Sequence, residues 1–266
     1  MRTNGSRVAL GVWTGLVTVF LLFPIVLIMV YAFNKATVQS WPITGFSIKW
    51  FTKAWHNQEI RDALWLSLKA GLLSTGIAIL LGTAAAFAVH RFRFFGREVV
   101  SFVLILPLAL PGIVTGMALN SSFTVAGIDL SLWTIVVGHA TFCIVIVYNN
   151  ALARLRRTQS SLVEASMDLG ADGWQTFRFV TLPVMSTALV SGALLAFALS
   201  FDEVIVTYFT AGAQNTLPLW ILGAIRHGGS TLPQVNVAVL VVILLTLIPV
   251  AISVRFARDT GVLRRR

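Results

Sequence analysis

Apolar residues run along this chain in long blocks separated by shorter polar segments. Six blocks reach the about 20 residues that a helix needs to cross a hydrocarbon layer: roughly 8–33, 64–89, 99–119, 132–152, 184–206 and 235–256. Lipid offers no partner to an open N–H or C=O, so each block is expected to be helical. Two of the intervening segments are long. Residues 34–63 carry Trp41-Pro42, Trp50 and Trp55, side chains suited to a membrane interface. Residues 207–234 carry Gly, Pro and Trp220, a composition open to dipping back into the bilayer. The first block follows Arg2 and Arg7 and exceeds the length of a signal-peptide core. No small-residue cleavage pattern follows it, so it is expected to remain as an anchor.

Composition agrees with the pattern. Hydrophobic residues make up 57% of the 266 and charged residues only 11%, where soluble domains carry about 25% charged. The expectation is one all-α membrane domain over 1–266. A net charge of +10 raises nucleic acid as a partner, but no basic-aromatic face is built. The basic residues cluster instead at alternate polar segments: Arg91, Arg93 and Arg97; Arg154, Arg156, Arg157 and Arg178; Arg255, Arg258 and Arg264-Arg265-Arg266. Facing segments hold few, so the positive-inside rule places both termini in the cytoplasm. Cys143 is the single cysteine and excludes a disulfide framework or a zinc cluster.

The polar segment 153–183 has its own local order. Ser161 with Glu164 fits a capping box that starts a helix over about 162–169. Gly170 suits the left-handed residue that ends it. Asp172, with Gln175 three residues on, fits the cap of a second helix. Pro183 fits the first turn of the following span. Two short helices joined by a turn are therefore expected on the cytoplasmic face.

Glu164-Ala165-Ser166, then Gly170, then Leu182-Pro183 resembles the EAA motif of permease subunits of type I ATP-binding-cassette importers. Ser166 stands where the motif usually has a second alanine. Leu106-Pro107 with Pro111-Gly112, Ser200-Phe201-Asp202-Glu203, Leu217-Pro218 and Val235-Asn236-Val237 extend the likeness over nearly the whole chain. Within that family they are most similar to permeases of polyamine importers. The resemblance implies a six-helix permease fold in a bacterial cytoplasmic membrane, and alternating access for a small cation such as putrescine or spermidine. It implies that Glu164, Ala165, Gly170, Leu182 and Pro183 serve a coupling helix docked on an ATPase. It also implies an ATPase dimer carrying ATP and Mg, a second and different permease, and an extracytoplasmic solute-binding protein. Another small solute remains open as the substrate.

Ionisable residues inside spans are functional candidates. Asp202 and Glu203 fall near the outer end of the fifth block, with Tyr208 and Trp220 nearby in sequence. Carboxylates and aromatic faces suit a cation; an interface marker or a helix cap would equally explain the two acids. Asn149 is a candidate for an inner gate. His139 and Cys143 share a helix face but lack further ligands for a metal, and a packed polar stripe accounts for them. Pro107, Pro111 and Gly112 are expected to disturb the third span. No phosphate-binding G-x-x-x-x-G-K-[ST] loop and no catalytic motif is present. The chain is thus expected to be no enzyme and to hold no cofactor of its own. An ion-coupled transporter would use the acids but leave the capped loop unexplained. An intramembrane enzyme using His139 or Cys143 would leave it unexplained too.

Overall fold

The apolar blocks fold as helices in a computed structural model that describes residues 4–259. Among these residues the only extended pairing is a single bridge between Asn34 and Phe46. Twelve α-helices follow in order. They are α1 (Asn4–Ala32), α2 (Lys49–His56), α3 (Gln58–Arg91), α4 (Arg97–Ala109), α5 (Gly112–Val125) and α6 (Leu132–Arg157). Next come α7 (Ser160–Asp168), α8 (Gly173–Thr176), α9 (Leu182–Phe201), α10 (Ile205–Thr210), α11 (Leu217–His227) and α12 (Leu232–Asp259). Arg2 and the terminal Arg264-Arg265-Arg266 lie outside the described residues, as do the side chains of Pro249, Arg255 and Arg258.

Among the described residues four helical stretches are long and apolar enough to cross a membrane: Gly5–Ala32, α3, α6 and Gly173–Phe201. The last joins α8 to α9 through a π-helical turn, Phe177–Thr181. The expected third span, 99–119, is not one straight helix. It is α4 and α5 meeting at 105°. Leu110 is extended (φ −81°, ψ 142°) because a residue before proline is pushed out of the helical region. Pro111, lacking an N–H, then opens the next helix. Pro107 stays inside α4 and Pro24 inside α1. The fifth block also breaks early, at Phe201, although its apolar pattern runs on to Val206.

The chain divides into two compact units. One holds the residues up to Arg61 with Trp220–Leu245; the other holds Asp62–Leu219 and the chain from Thr246. In the first, Asn34 anchors the segment after α1: its carbonyl accepts from the Trp50 indole at 2.8 Å. The Asn57 amide donates to Gln234 Oε1 at 3.1 Å.

In the second unit α6 is the central helix, buried along most of its length. Glycines let its neighbours approach. A Cβ added at Gly82 of α3 would stand 2.8 Å from the Ile144 carbonyl oxygen, and one at Gly192 of α9 would stand 3.4 Å from the Val147 Cα. Around these approaches Ala86, Val89, Tyr148, Leu152 and Met185 form one buried cluster. Ala78, Phe142, Cys143, Val147, Ala196 and Val206 form another.

Candidate functional site

The helix pair expected in 153–183 is α7 and α8, but α7 starts differently. Its N-cap is Gln159, and no side chain caps it. Ser161 is therefore the second residue inside the helix, out of capping position, and the Ser161–Glu164 box does not form. The far end follows expectation. Gly170 has φ +87°, its N–H donates to the Met167 carbonyl at 2.9 Å, and the Ala171 N–H donates to the Ser166 carbonyl at 3.1 Å. Those two bonds are the paired closure of a Schellman turn. Asp172 accepts from the Gln175 N–H at 2.7 Å, while the Gln175 side chain accepts from the Asp172 N–H at 3.0 Å. Pro183 lies in the first turn of α9, next to the exposed Leu182.

Ser166, where the motif usually has alanine, ties the pair together. Its hydroxyl lies 3.1 Å from that of the buried Thr176. The outer face is apolar and bare: Leu162, Met167, Leu169 and Trp174 are exposed, Leu169 to 89%. Glu164 and Ala165 are exposed on the same helix. Behind it lies a cavity of about 620 Å³ bordered by Phe87, His90, Arg91, Glu164, Met167 and Phe177. Among the described residues nothing covers this apolar face of the helix pair.

A second cluster sits where α9 breaks. Asp202 caps the C-terminus of α9, and its N–H donates to the Ala198 carbonyl at 3.2 Å. The two acids do not sit within one helix, as the apolar pattern implied. Glu203 turns inward and accepts the Val206 N–H at 2.9 Å, capping α10. Asp202 points outward, exposed, and its carboxylate takes no hydrogen bond among the described residues. Tyr208, on α10, is also exposed. Its neighbour Phe209 covers Gly116 of α5, where an added Cβ would stand 2.7 Å from Cδ2. Asn120 of α5 donates to the Phe209 carbonyl at 2.7 Å.

The remaining candidates lie elsewhere. Asn149 is exposed on α6. Trp220 belongs to the other unit, where it is buried and its indole donates to Glu59 at 3.1 Å. His139 and Cys143 are both buried, and no group of metal ligands exists among the described residues. Cys143 donates to the Ala196 carbonyl at 3.3 Å. The imidazole of His139 reaches Ser200 at 2.7 Å and Thr207 at 2.8 Å, and Ser200 reaches Ser74 at 2.9 Å. Sequence reasoning missed these three hydroxyls: Ser74 and Ser200 show only as polarity inside apolar blocks, and Thr207 falls just past the end of the fifth.

Residues 78–261 match the sequence pattern of the family described as binding-protein-dependent transport system inner membrane component. The chain is 32% identical over 256 residues to the Escherichia coli K12 spermidine/putrescine transport system permease protein PotC, covering 96% of each chain. It is 34% identical over 226 residues to the putrescine permease PotI of the same organism, covering 82% of this chain and 79% of that one. Among solved structures, a bacterial importer of the polysaccharide alginate superposes over 97% of this chain and 98% of its own, with a TM-score of 0.69 at 17% identity.

Proposed function

The chain belongs to the binding-protein-dependent transport system inner membrane components, the permease subunits of ATP-binding-cassette importers, and on that premise we propose that it imports a polyamine across a bacterial cytoplasmic membrane. It is a multi-pass membrane transport subunit, not an enzyme. Identity to the spermidine/putrescine permease across 96% of both chains carries the substrate reading.

The acidic break agrees with that chemistry. A carboxylate facing lipid costs about 2.5–3.5 kcal/mol on insertion scales. Asp202, exposed at the break, with Tyr208 exposed on the helix that follows it, is better placed against an aqueous path. A protonated amine gains there from both the carboxylate and the ring. Glu203 supports the path from behind as the cap of α10. Asn149 is read as an inner-gate residue and Trp220 as support outside the path.

The α7–α8 pair is the coupling element, with Glu164, Ala165 and Gly170 docked on an ATPase and Leu182-Pro183 leading into α9. ATP and Mg bind on that ATPase, two copies of which serve this chain and a second, different permease. A solute-binding protein delivers substrate from outside. Six spans then count the α4–α5 pair as one and α12 as another, with both termini in the cytoplasm. ATP-driven closure displaces α7–α8, and alternating access follows from the two states of the assembly.

The test is uptake of labelled putrescine and spermidine into proteoliposomes holding the assembled complex. ATP-dependent accumulation of either is the expected result. Uptake of an amino acid or a sugar instead would overturn the polyamine reading. Uptake driven by a gradient without ATP would overturn the coupling.

A further inference from the structure

A buried histidine in an apolar helix needs a reason, because an unpartnered imidazole N–H or lone pair costs about 1–3 kcal/mol. His139 lies on α6 and is 1% exposed. Both of its ring nitrogens are occupied, and the partners are informative. Ser200, 2.7 Å from Nδ1, stands two residues before Asp202, at the end of α9. Thr207, 2.8 Å from Nε2, stands on α10, four residues after Glu203. A single ring therefore bridges both flanks of the acidic break.

The hydrogens can be assigned along the chain of bonds. Thr207 has one hydroxyl proton, and it goes to the Glu203 carbonyl at 2.8 Å. Thr207 must then accept from His139, which puts a proton on Nε2. In a neutral imidazole Nδ1 is left as the acceptor, and it takes the Ser200 hydroxyl proton. Ser74 of α3, 2.9 Å from Ser200 on the other side, holds the serine only by donating to it in place of the Ala70 carbonyl, 2.7 Å away. Packing supports the same joint: a Cβ added at Gly138, beside His139, would stand 3.1 Å from Val206 Cγ1. Two helix ends that have lost their own continuity are thus fastened to α6 by one side chain.

We propose that His139 is a positioning residue that fixes the α9–α10 break and so sets the direction in which Asp202 faces the transported cation. The inference rests on the reading of that break as part of the substrate path. His139 touches no substrate itself. It acts through Ser200 and Thr207, and the carboxylate it orients is the free one of the two.

The test uses the assembled transporter in lipid nanodiscs. His139→Ala removes both bridges. His139→Asn keeps a group at the Nδ1 position and His139→Gln one near Nε2, so each retains one flank. Elution of every variant together with its ATPase establishes that it is folded. Two readouts are taken. First, Ile205→Cys, at the exposed start of α10, is labelled with a water-soluble maleimide, against the background of the buried Cys143. Second, KM and kcat for putrescine uptake are measured without the added cysteine.

Labelling at Ile205→Cys is expected to quicken severalfold with His139→Ala and by less with Asn or Gln. KM is expected to rise about thirtyfold with Ala, the worth of two ordinary hydrogen bonds, with kcat less affected and with Asn and Gln intermediate. Unchanged labelling in all three variants overturns the proposal. Quickened labelling with KM unchanged also overturns it, since the staple then has no bearing on the substrate. Labelling does not depend on which solute is carried. If the wild-type complex moves no polyamine, the substrate reading fails while the labelling result still stands on its own.

Discussion

Replacing Gly170 isolates backbone conformation from every other property of the proposed coupling element. Its φ of +87° lies in the left-handed region, and an added Cβ would meet nothing within 4 Å. Gly170→Ala therefore adds no clash. It adds only the cost of holding a side-chain-bearing residue left-handed, roughly 1–2 kcal/mol. If the turn yields instead, the bonds from Gly170 and Ala171 back to Met167 and Ser166 go with it, and α7 loses its fixed angle to α8. That energy corresponds to a factor of roughly 5–30 in the population of the docking geometry. Asparagine enters this region more readily than other side chains, so Gly170→Asn should retain most of that population. The assay is the dissociation constant between permease complexes in nanodiscs and the purified ATPase. Alanine should weaken binding roughly 5–30-fold, and asparagine much less. Equal weakening by both would refute the conformational argument, and unchanged binding by both would refute the role of the turn.

Three further outcomes follow from the packing and the caps. Asp202→Asn should raise the KM for putrescine uptake while ATPase association stays intact; a KM equal to wild type would remove Asp202 from the path. Glu203→Ala removes the cap of α10, so thermal unfolding of the detergent-solubilised complex should show a loss of about 1 kcal/mol, with Glu203→Gln losing less. Gly82→Ala forces a methyl to within 2.8 Å of the Ile144 carbonyl oxygen, a backbone atom that cannot rotate away. It should destabilise the complex by about 1–3 kcal/mol, whereas Ala at Gly76, where nothing lies within 4 Å, should be neutral on the same measurement.

The long helices were legible because lipid-length apolar blocks leave the backbone few alternatives. Gly170 and the Asp172–Gln175 box were legible because left-handed glycine and reciprocal capping are local chemistry. What escaped the sequence was set by distances that hydropathy does not encode. The start of α7 lies one residue before the expected cap, and three polar residues in a row, Gln159-Ser160-Ser161, give no basis for choosing between them. Leu110-Pro111 announces a disturbance but not a bend of 105°. The apolar run through Val204, Ile205 and Val206 hides the break after Phe201, since a turn stapled by a neighbouring helix leaves hydrophobicity unchanged. His139 looked like part of a polar stripe because Ser200 and Thr207 lie 61 and 68 residues away in sequence.

The two candidate regions are the ends of one continuous helical segment. From Gly173 to Phe201 the backbone never leaves a helical conformation, and at about 1.5 Å per residue that is roughly 43 Å, longer than the hydrocarbon layer of about 30 Å. Each end is tied to another helix by a named hydrogen bond: Thr176 to Ser166 of α7 at one, Ser200 to His139 of α6 at the other. A helix resists compression, so a displacement of the coupling pair reaches the acidic break unless some part of the segment yields. The regular ladder is already disturbed at one place in it, the π-helical turn Phe177–Thr181. Phe87 of α3 packs edge-on against Phe177 there, with ring centroids 5.2 Å apart, beside the cavity that would accommodate its movement. Beyond it α9 runs against α6 at the closely packed Gly192, which favours sliding over bending. On the proposed reading, coupling in this subunit needs no reactive group: one held helix, one disturbed turn and two tied ends would relate a partner's motion to the placement of a carboxylate.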